Sequence, residues 1–216
     1  MIIGLLNQKG GVGKTTLAIS IACALANSKK NEKVLLIDSD PQQSALNWSQ
    51  VRDSSPNFSV IGLATKTIHR DLPEICKNYN HVIIDSPPRV TDIARSVILA
   101  SEIILIPCTP CVFSVWAFQE TVNLIQEASV FKPNIKYAIV INRKSPKTLI
   151  GKSLIKTIKE MEIRMMKTMV SERVVFSNAS LQGKTIFEMQ KNDDAKRKAM
   201  DEIKQLIKEL PGIINE

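Results

Sequence analysis

Residues 8–16 read Gln8-Lys9-Gly10-Gly11-Val12-Gly13-Lys14-Thr15-Thr16. Glycines let backbone N–H groups close around phosphate oxygens with no Cβ in the way. A Gly-Lys-Thr run that opens a helix adds the partial positive charge of the helix N-terminus. In such a loop Lys14 reaches the β- and γ-phosphates of a nucleotide, and the Thr15 hydroxyl ligates Mg²⁺. The usual spacing, G-x-x-x-x-G-K-[ST], asks for glycine at position 8; this chain has Gln8 there and an extra lysine, Lys9, at the entrance to the loop. Two further segments carry carboxylates, Asp38-Ser39-Asp40-Pro41-Gln42 and Asp85-Ser86-Pro87-Pro88, each after an apolar run. Asp85 closes Val82-Ile83-Ile84, where a phosphate-loop enzyme keeps its magnesium-side aspartate. A carboxylate there holds Mg²⁺ through water, because magnesium gives up its hydration shell reluctantly. A single aspartate after a strand reads as a helix N-cap. Three of them at the ends of two strands, beside a phosphate loop, point to nucleotide chemistry.

The elements that must position these residues alternate along the chain. Apolar, branched runs at Ile2–Asn7, Val34–Asp38, Phe58–Leu63, His81–Asp85, Glu102–Pro107 and Tyr137–Asn142 read as strands. Helical spacing separates them at Thr15–Ala26, Ser44–Arg52, Ile68–Lys77, Asp92–Ala100, Val115–Ala128 and Lys152–Met161. Arg164–Val175 suggests a short strand and turn. Asp193–Leu210 reads as a last helix with Met200, Ile203, Ile207 and Leu210 on one side, ended by Pro211-Gly212. Apolar strands between helices imply a parallel sheet covered on both faces. We therefore expect an α/β fold: one doubly wound, mostly parallel sheet with helices on both faces, residues 1–216 forming a single domain. Ligands in such folds sit beyond the carboxyl ends of the strands, where the motifs above stand.

At 216 residues the chain can bury a core without disulfides or metal. No apolar run approaches the roughly 20 residues that span a bilayer, so no membrane insertion is expected. Four cysteines at irregular positions do not make a disulfide framework, and a reducing cytoplasm is the default. The net charge of +8 is localised: Arg143 to Lys208 holds 16 Lys and Arg against 8 Asp and Glu, and the remainder balances. A localised surplus suits a polyanion, although a solvated lysine-rich face would have the same composition. Lys152, Lys156 and Lys159 share one helical face. Lys196, Arg197, Lys198, Lys204 and Lys208 fall on the exposed side of the last helix. We single out Lys152, Lys156, Lys159 and Arg197 as candidate contacts to DNA phosphates.

KGGVGKTT, LLIDSDPQ and VIIDSPP together resemble the ParA/MinD superfamily of deviant Walker-type ATPases. Asp38-Ser-Asp-Pro-Gln through Asn47-Trp48-Ser49, and Ile106-Pro-Cys-Thr-Pro110, are similar to the small ParF-like partition ATPases. The resemblance runs from Met1 to about Glu188. It implies ATP and Mg²⁺ as cofactors. Lys14 matches the phosphate-loop lysine, and Lys9 the lysine that crosses a sandwich dimer to the partner's nucleotide. Thr15 would ligate magnesium, Thr16 would lie beside the phosphates, and Asp38 and Asp85 would support the metal shell. Asp40 matches the carboxylate that positions the attacking water, and Asn142 a position near the adenine. As partners it implies a second copy of the chain on ATP binding, DNA without sequence preference, and a centromere-binding adaptor of the ParB or ParG kind. The place of action would be the cytoplasm, on the nucleoid.

The base follows from an absence: after Tyr137–Ile141 comes Asn142-Arg143-Lys144-Ser145, with no aspartate to read guanine, so ATP is favoured. Two other readings stay open. A MinD-like protein that positions division machinery on a membrane needs a free apolar face on a C-terminal helix. An iron–sulfur carrier needs Cys108 and Cys111, a C-x-x-C, to bridge a cluster between subunits; two small half-buried residues after a strand is the plainer reading. Cys23 and Cys76 read as core thiols, His69 and His81 as structural, and Trp116 and Phe118 as packing.

Overall fold

Successive side chains of a strand face opposite ways, and here both sets are apolar. The computed structural model describes residues 1–111, 114–145, 149–190 and 193–215, with the backbone alone at 149–152. Its strands are β1 (Ile2–Leu5), β2 (Val34–Asp38), β3 (Ser59–Gly62), β4 (His81–Asp85), β5 (Ile103–Cys108) and β6 (Lys136–Ile141). They form one six-stranded sheet in the order β3-β2-β4-β1-β5-β6, every neighbouring pair parallel. The helices among the described residues are α1 (Lys14–Ala26), α2 (Ser44–Gln50), α3 (Ile68–Ile75), α4 (Thr91–Ala100), α5 (Ser114–Ala128), α6 (Leu149–Glu160), α7 (Val174–Leu181) and α8 (Asp194–Ile214).

Ile3, Leu5, Leu36, Ile83, Leu105 and Val140 pack with α1 and α8 on one face. The alternate residues face the other way. Leu6, Ile104, Ile106 and Ile139 pack with α4, α5 and α6 through Phe118, Val122, Leu154 and Ile158. Leu35, Ile37 and Ile84 pack with α3 and α4. Right-handed crossovers require this division: the chain steps from β1 outward to β2 and β3 along one face, then returns through β4 to β5 and β6 along the other. The reversal falls at β1, so its carboxyl end opens into a crevice. Register makes the site. Leu5 pairs level with Asp85, and Asp38 with Asp85, so the loop after β1 starts beside both carboxylates.

The expected parallel α/β sheet is present, with corrections at its margin. Arg164–Val175 forms no regular strand. It makes single bridges to β6 (Ile139 with Met165) and to the turn beyond β6 (Lys144 with Ser171), and α7 begins at Val174. The last helix does not stop at Pro211-Gly212; α8 runs through Pro211 to Ile214. Proline removes one backbone donor, but stopping there would leave Ile213, which is 3% exposed, outside the core. Trp116, expected to pack, is 71% exposed, whereas Phe118 is fully buried as expected. Lys196, expected outside, is buried and donates to the Met189 carbonyl at 2.5 Å.

Candidate nucleotide site

The loop from Gln8 to Gly13 turns because Gly11 (φ 74°) and Gly13 (φ 88°) occupy left-handed conformations that a side chain resists. A Cβ on Gly13 would lie 2.5 Å from Asn142 Nδ2. No side chain caps the start of α1, and its first turn holds no acid, so its leading N–H groups remain to meet an anion. Lys14 is buried, and its Nζ donates to the carbonyls of Asn7 (3.1 Å) and Lys9 (3.3 Å). Burial lowers its pKa, against the pull of Asp85 and Asp40. Gln8, the departure from the usual loop, is a tie. Its Oε1 accepts from the Arg89 N–H at 2.7 Å, which joins the loops after β1 and β4. The motif treats position 8 as a slot for glycine and carries no signal of this bond.

Asp85 is buried, and neither of its oxygens meets a hydrogen-bond partner of good geometry. Burial pushes the carboxyl up to about 7, against the nearby Thr15 hydroxyl. An unpartnered carboxylate in the interior is costly. Beside Thr15 and a phosphate loop it fits a hydrated cation, so Asp85 and Thr15 are the groups that would hold Mg²⁺.

Asp38, expected to support magnesium, anchors backbone N–H groups. Its Oδ1 accepts from Asp40 N–H at 3.1 Å, and its Oδ2 from Ala45 and Leu46 N–H at 2.8 and 2.9 Å. Both oxygens hold backbone, Oδ2 at the start of α2 and Oδ1 on the loop that carries Asp40. Burial raises its pKa, and those three N–H groups restrain the rise. Asp40 itself is half-exposed, and its Oδ1 accepts from Gln42 N–H at 2.9 Å.

Lys9 points away from this centre, and its Nζ lies 2.8 Å from Cys111 Sγ. Cys108 is fully buried, and burial pushes its thiol up to about 12. A cluster shared between subunits needs both sulfurs at a surface, so this geometry gives Cys108 to the core. Among the described residues no group of three or more His, Cys, Asp or Glu can hold a metal ion. Cys23 is a core thiol, Cys76 is half-buried in a short turn after α3, and His69 Nδ1 meets Ser96 Oγ at 2.9 Å.

A cavity of about 550 Å³ continues from Gly13 and Thr16 to Asn142, Ser171, Arg173 and Phe176. Asn142 lines it, while its Nδ2 holds the Val12 carbonyl at 2.8 Å. Ser171, Arg173 and Phe176 were not legible as site residues, because they come from and just after the Arg164–Val175 stretch, which carries no motif.

The basic residues do not gather into one stripe. Lys156 and Lys159 are exposed on α6 and Arg197 on α8, helices on opposite faces of the sheet. The side chain of Lys152 lies outside the described residues. The apolar face of α8 (Ile203, Leu206, Leu210, Ile213) is buried against α1 and is not free to enter a membrane. No helix among the described residues is long and apolar enough to cross one.

The sequence profile of the CobQ/CobB/MinD/ParA nucleotide binding domain matches residues 3–186. The chain belongs to this family. The resemblance to ParA/MinD ATPases drawn from the motifs is thereby borne out. Among relatives of the CobQ/CobB/MinD/ParA domain, the maintenance of carboxysome distribution protein A of Halothiobacillus neapolitanus is 29% identical over 209 residues, 94% of this chain and 93% of its own length. Two solved structures share the fold. The McdA–ATP complex of Cyanothece has a TM-score of 0.81, 17% identity, and coverage of 97% of this chain and 96% of that one. A plasmid partition protein from Borrelia burgdorferi has a TM-score of 0.70, 20% identity, and coverage of 96% and 98%.

Proposed function

We propose that this ParA/MinD-family chain binds ATP with Mg²⁺, hydrolyses it slowly as a sandwich dimer, and positions a cargo along DNA. The observation that carries the reading is Asp85, a buried carboxylate whose oxygens make no hydrogen bond of good geometry, beside the Thr15 hydroxyl and facing a glycine loop whose lysine is buried near it. The triphosphate would lie along the N–H groups of Gly10 to Thr16, with Lys14 neutralising charge between β- and γ-phosphates. Magnesium, held by Thr15 and Asp85, would draw negative charge from the phosphoryl oxygens. Asp40 would hold the attacking water in line, on a loop that Asp38 fixes. The base would enter the 550 Å³ cavity, toward Asn142 and Arg173.

Lys9 supports a dimer. In one subunit its ammonium rests on Cys111, away from the residues that surround Lys14, and it would reach a γ-phosphate across a two-fold axis. Dimerisation doubles the exposed lysines and arginines and with them the counterions released on DNA. The similarity to a carboxysome distribution protein and to a plasmid partition protein supports a cargo carried through an adaptor, a plasmid centromere complex being the first choice.

Titration with a non-hydrolysable ATP analogue and steady-state turnover test the centre. Lys14→Ala loses binding. Lys9→Ala keeps the affinity of the single subunit and loses turnover. Asp40→Ala keeps ATP and persists as a dimer in size-exclusion chromatography with Mg²⁺. Equal loss of subunit affinity in the Lys9 and Lys14 variants removes the crossing lysine.

A further inference from the structure

Helix α8 holds the cavity wall from behind. Glu202 accepts from the Ser171 N–H at 3.0 Å and the Ser171 hydroxyl at 2.9 Å. The same carboxylate takes the Arg173 guanidinium in a fork, Nη1 to Oε2 at 2.5 Å and Nη2 to Oε1 at 2.9 Å. The two side chains are only 15% and 20% exposed. Burial alone would raise the Glu202 carboxyl, but its bonds to Arg173 and Ser171 outweigh burial and hold it below the usual range. Ser171 and Arg173 line the cavity that starts at Gly13. Seven residues along the same helix, Glu209 makes parallel bonds, accepting from Lys167 and Thr168 N–H at 2.8 Å each and from the Thr168 hydroxyl. Lys167 and Thr168 are not among the residues that line the cavity. Two carboxylates thus brace one segment, and only one of them stands behind the cavity.

We propose that Glu202 is a positioning residue for nucleotide selection. It sets the plane of Arg173 and the place of Ser171 before the base arrives, so the base end of the nucleotide meets a preformed wall. A forked guanidinium–carboxylate pair fixes the plane of the guanidinium as well as its position. Ordering the wall in advance takes that entropy cost out of binding. The proposal rests on the reading of the cavity as the base site. Glu202 itself does not line the cavity.

The test compares the affinities of the full chain for Mg²⁺–ATP and Mg²⁺–tripolyphosphate, a probe with the phosphates and no base. Glu202→Gln keeps the shape and removes the charge that holds Arg173. The expected result is a loss of about tenfold for ATP, the weight of one disordered charge-assisted pair, with tripolyphosphate affinity unchanged. Glu209→Gln gives a comparable fall in melting temperature and leaves both affinities as they were. Arg173→Lys, which keeps the charge and loses the fork, reproduces the Glu202→Gln ratio and stands in if that variant does not fold. If Glu202→Gln weakens both probes equally, or if Glu209→Gln weakens ATP as much, Glu202 is only a structural brace and the proposal fails. If the unmodified chain binds tripolyphosphate as tightly as ATP, the base-site reading fails, and the proposal with it.

Discussion

Asp85 and Asp38 stand level in neighbouring strands, yet they do opposite things with their oxygens. Asp38 spends both on backbone N–H groups, whereas Asp85 spends neither. Asp85→Asn should therefore stabilise the nucleotide-free chain by about 1 kcal/mol, since it removes a buried, poorly hydrogen-bonded carboxylate, and should abolish the gain in melting temperature on adding Mg²⁺–ATP. Thermal melts with and without Mg²⁺–ATP decide it; a variant that melts lower without nucleotide would mean that Asp85 is paired. The cysteines give a second check. Burial pushes the thiols of Cys23 and Cys108 up to about 11 and about 12, from 9.0. Because the folded form holds these protons more tightly, the stability they contribute is whole below pH 9 and is lost as pH rises toward 11 and 12. At pH 8 iodoacetamide should label Cys76 and Cys111 in the native chain, and Cys23 and Cys108 only after unfolding. Mass spectrometry reads this directly, and native labelling of Cys108 would reopen the cluster reading. The meeting of Lys14, Thr15 and Asp85 at one crevice was legible, because a phosphate-loop pattern and a strand-end aspartate mark the carboxyl ends of neighbouring strands. The backbone anchoring by Asp38 was not, because an aspartate after a strand has the same sequence whether it holds backbone or supports a metal.

Helix α8 shows what a stop signal weighs against burial. Pro211-Gly212 reads as an end, but Leu210 and Ile213 are buried on either side of it. Pro211→Ala restores a backbone donor at an exposed position and should raise stability by about 1 kcal/mol, near 2–4 °C for a chain of this size. Ile213→Ala should cost about 2–4 kcal/mol. Calorimetry of both variants checks the pair; an unchanged melting temperature in Ile213→Ala would mean that the helix ends where the sequence says. Strands and most helices were legible because a sheet covered on both faces writes continuous apolar runs. Helix α7 was not. Val174 and Leu181 stand seven residues apart on one face, but that face is 72% and 84% exposed, and the buried Ala179 is too small to mark an apolar stripe.

Across the whole molecule, the candidate DNA contacts are divided between α6 and α8, on opposite faces of the sheet. Charge reversals at Lys156 and Lys159, and separately at Arg197, should then weaken DNA binding independently, and their free energies should add. Each lost phosphate contact should lower the salt slope by about 1, with no change in preference among unrelated duplexes. Filter binding across a salt series, with ATP, ADP and no nucleotide, measures all three. Binding that is absent with ATP, or indifferent to every reversal, would remove these faces from the mechanism. Location of charge was legible from composition, but the division between two faces was not, since it depends on which side of the sheet each crossover takes.

The paired carboxylates of α8 also bear on how this sheet avoids growing. Segment 164–172 lies outside β6 and would, if extended further, offer its N–H groups to any passing strand. The N–H groups of Lys167, Thr168 and Ser171 are instead taken by Glu209 and Glu202. Seven helical residues rise about 10 Å, and three extended residues span about 10 Å, so a carboxylate every second turn keeps step with the segment from Thr168 to Ser171. The helix thus serves as a chemical selvedge, finishing the edge with side chains where another strand would otherwise be stitched on.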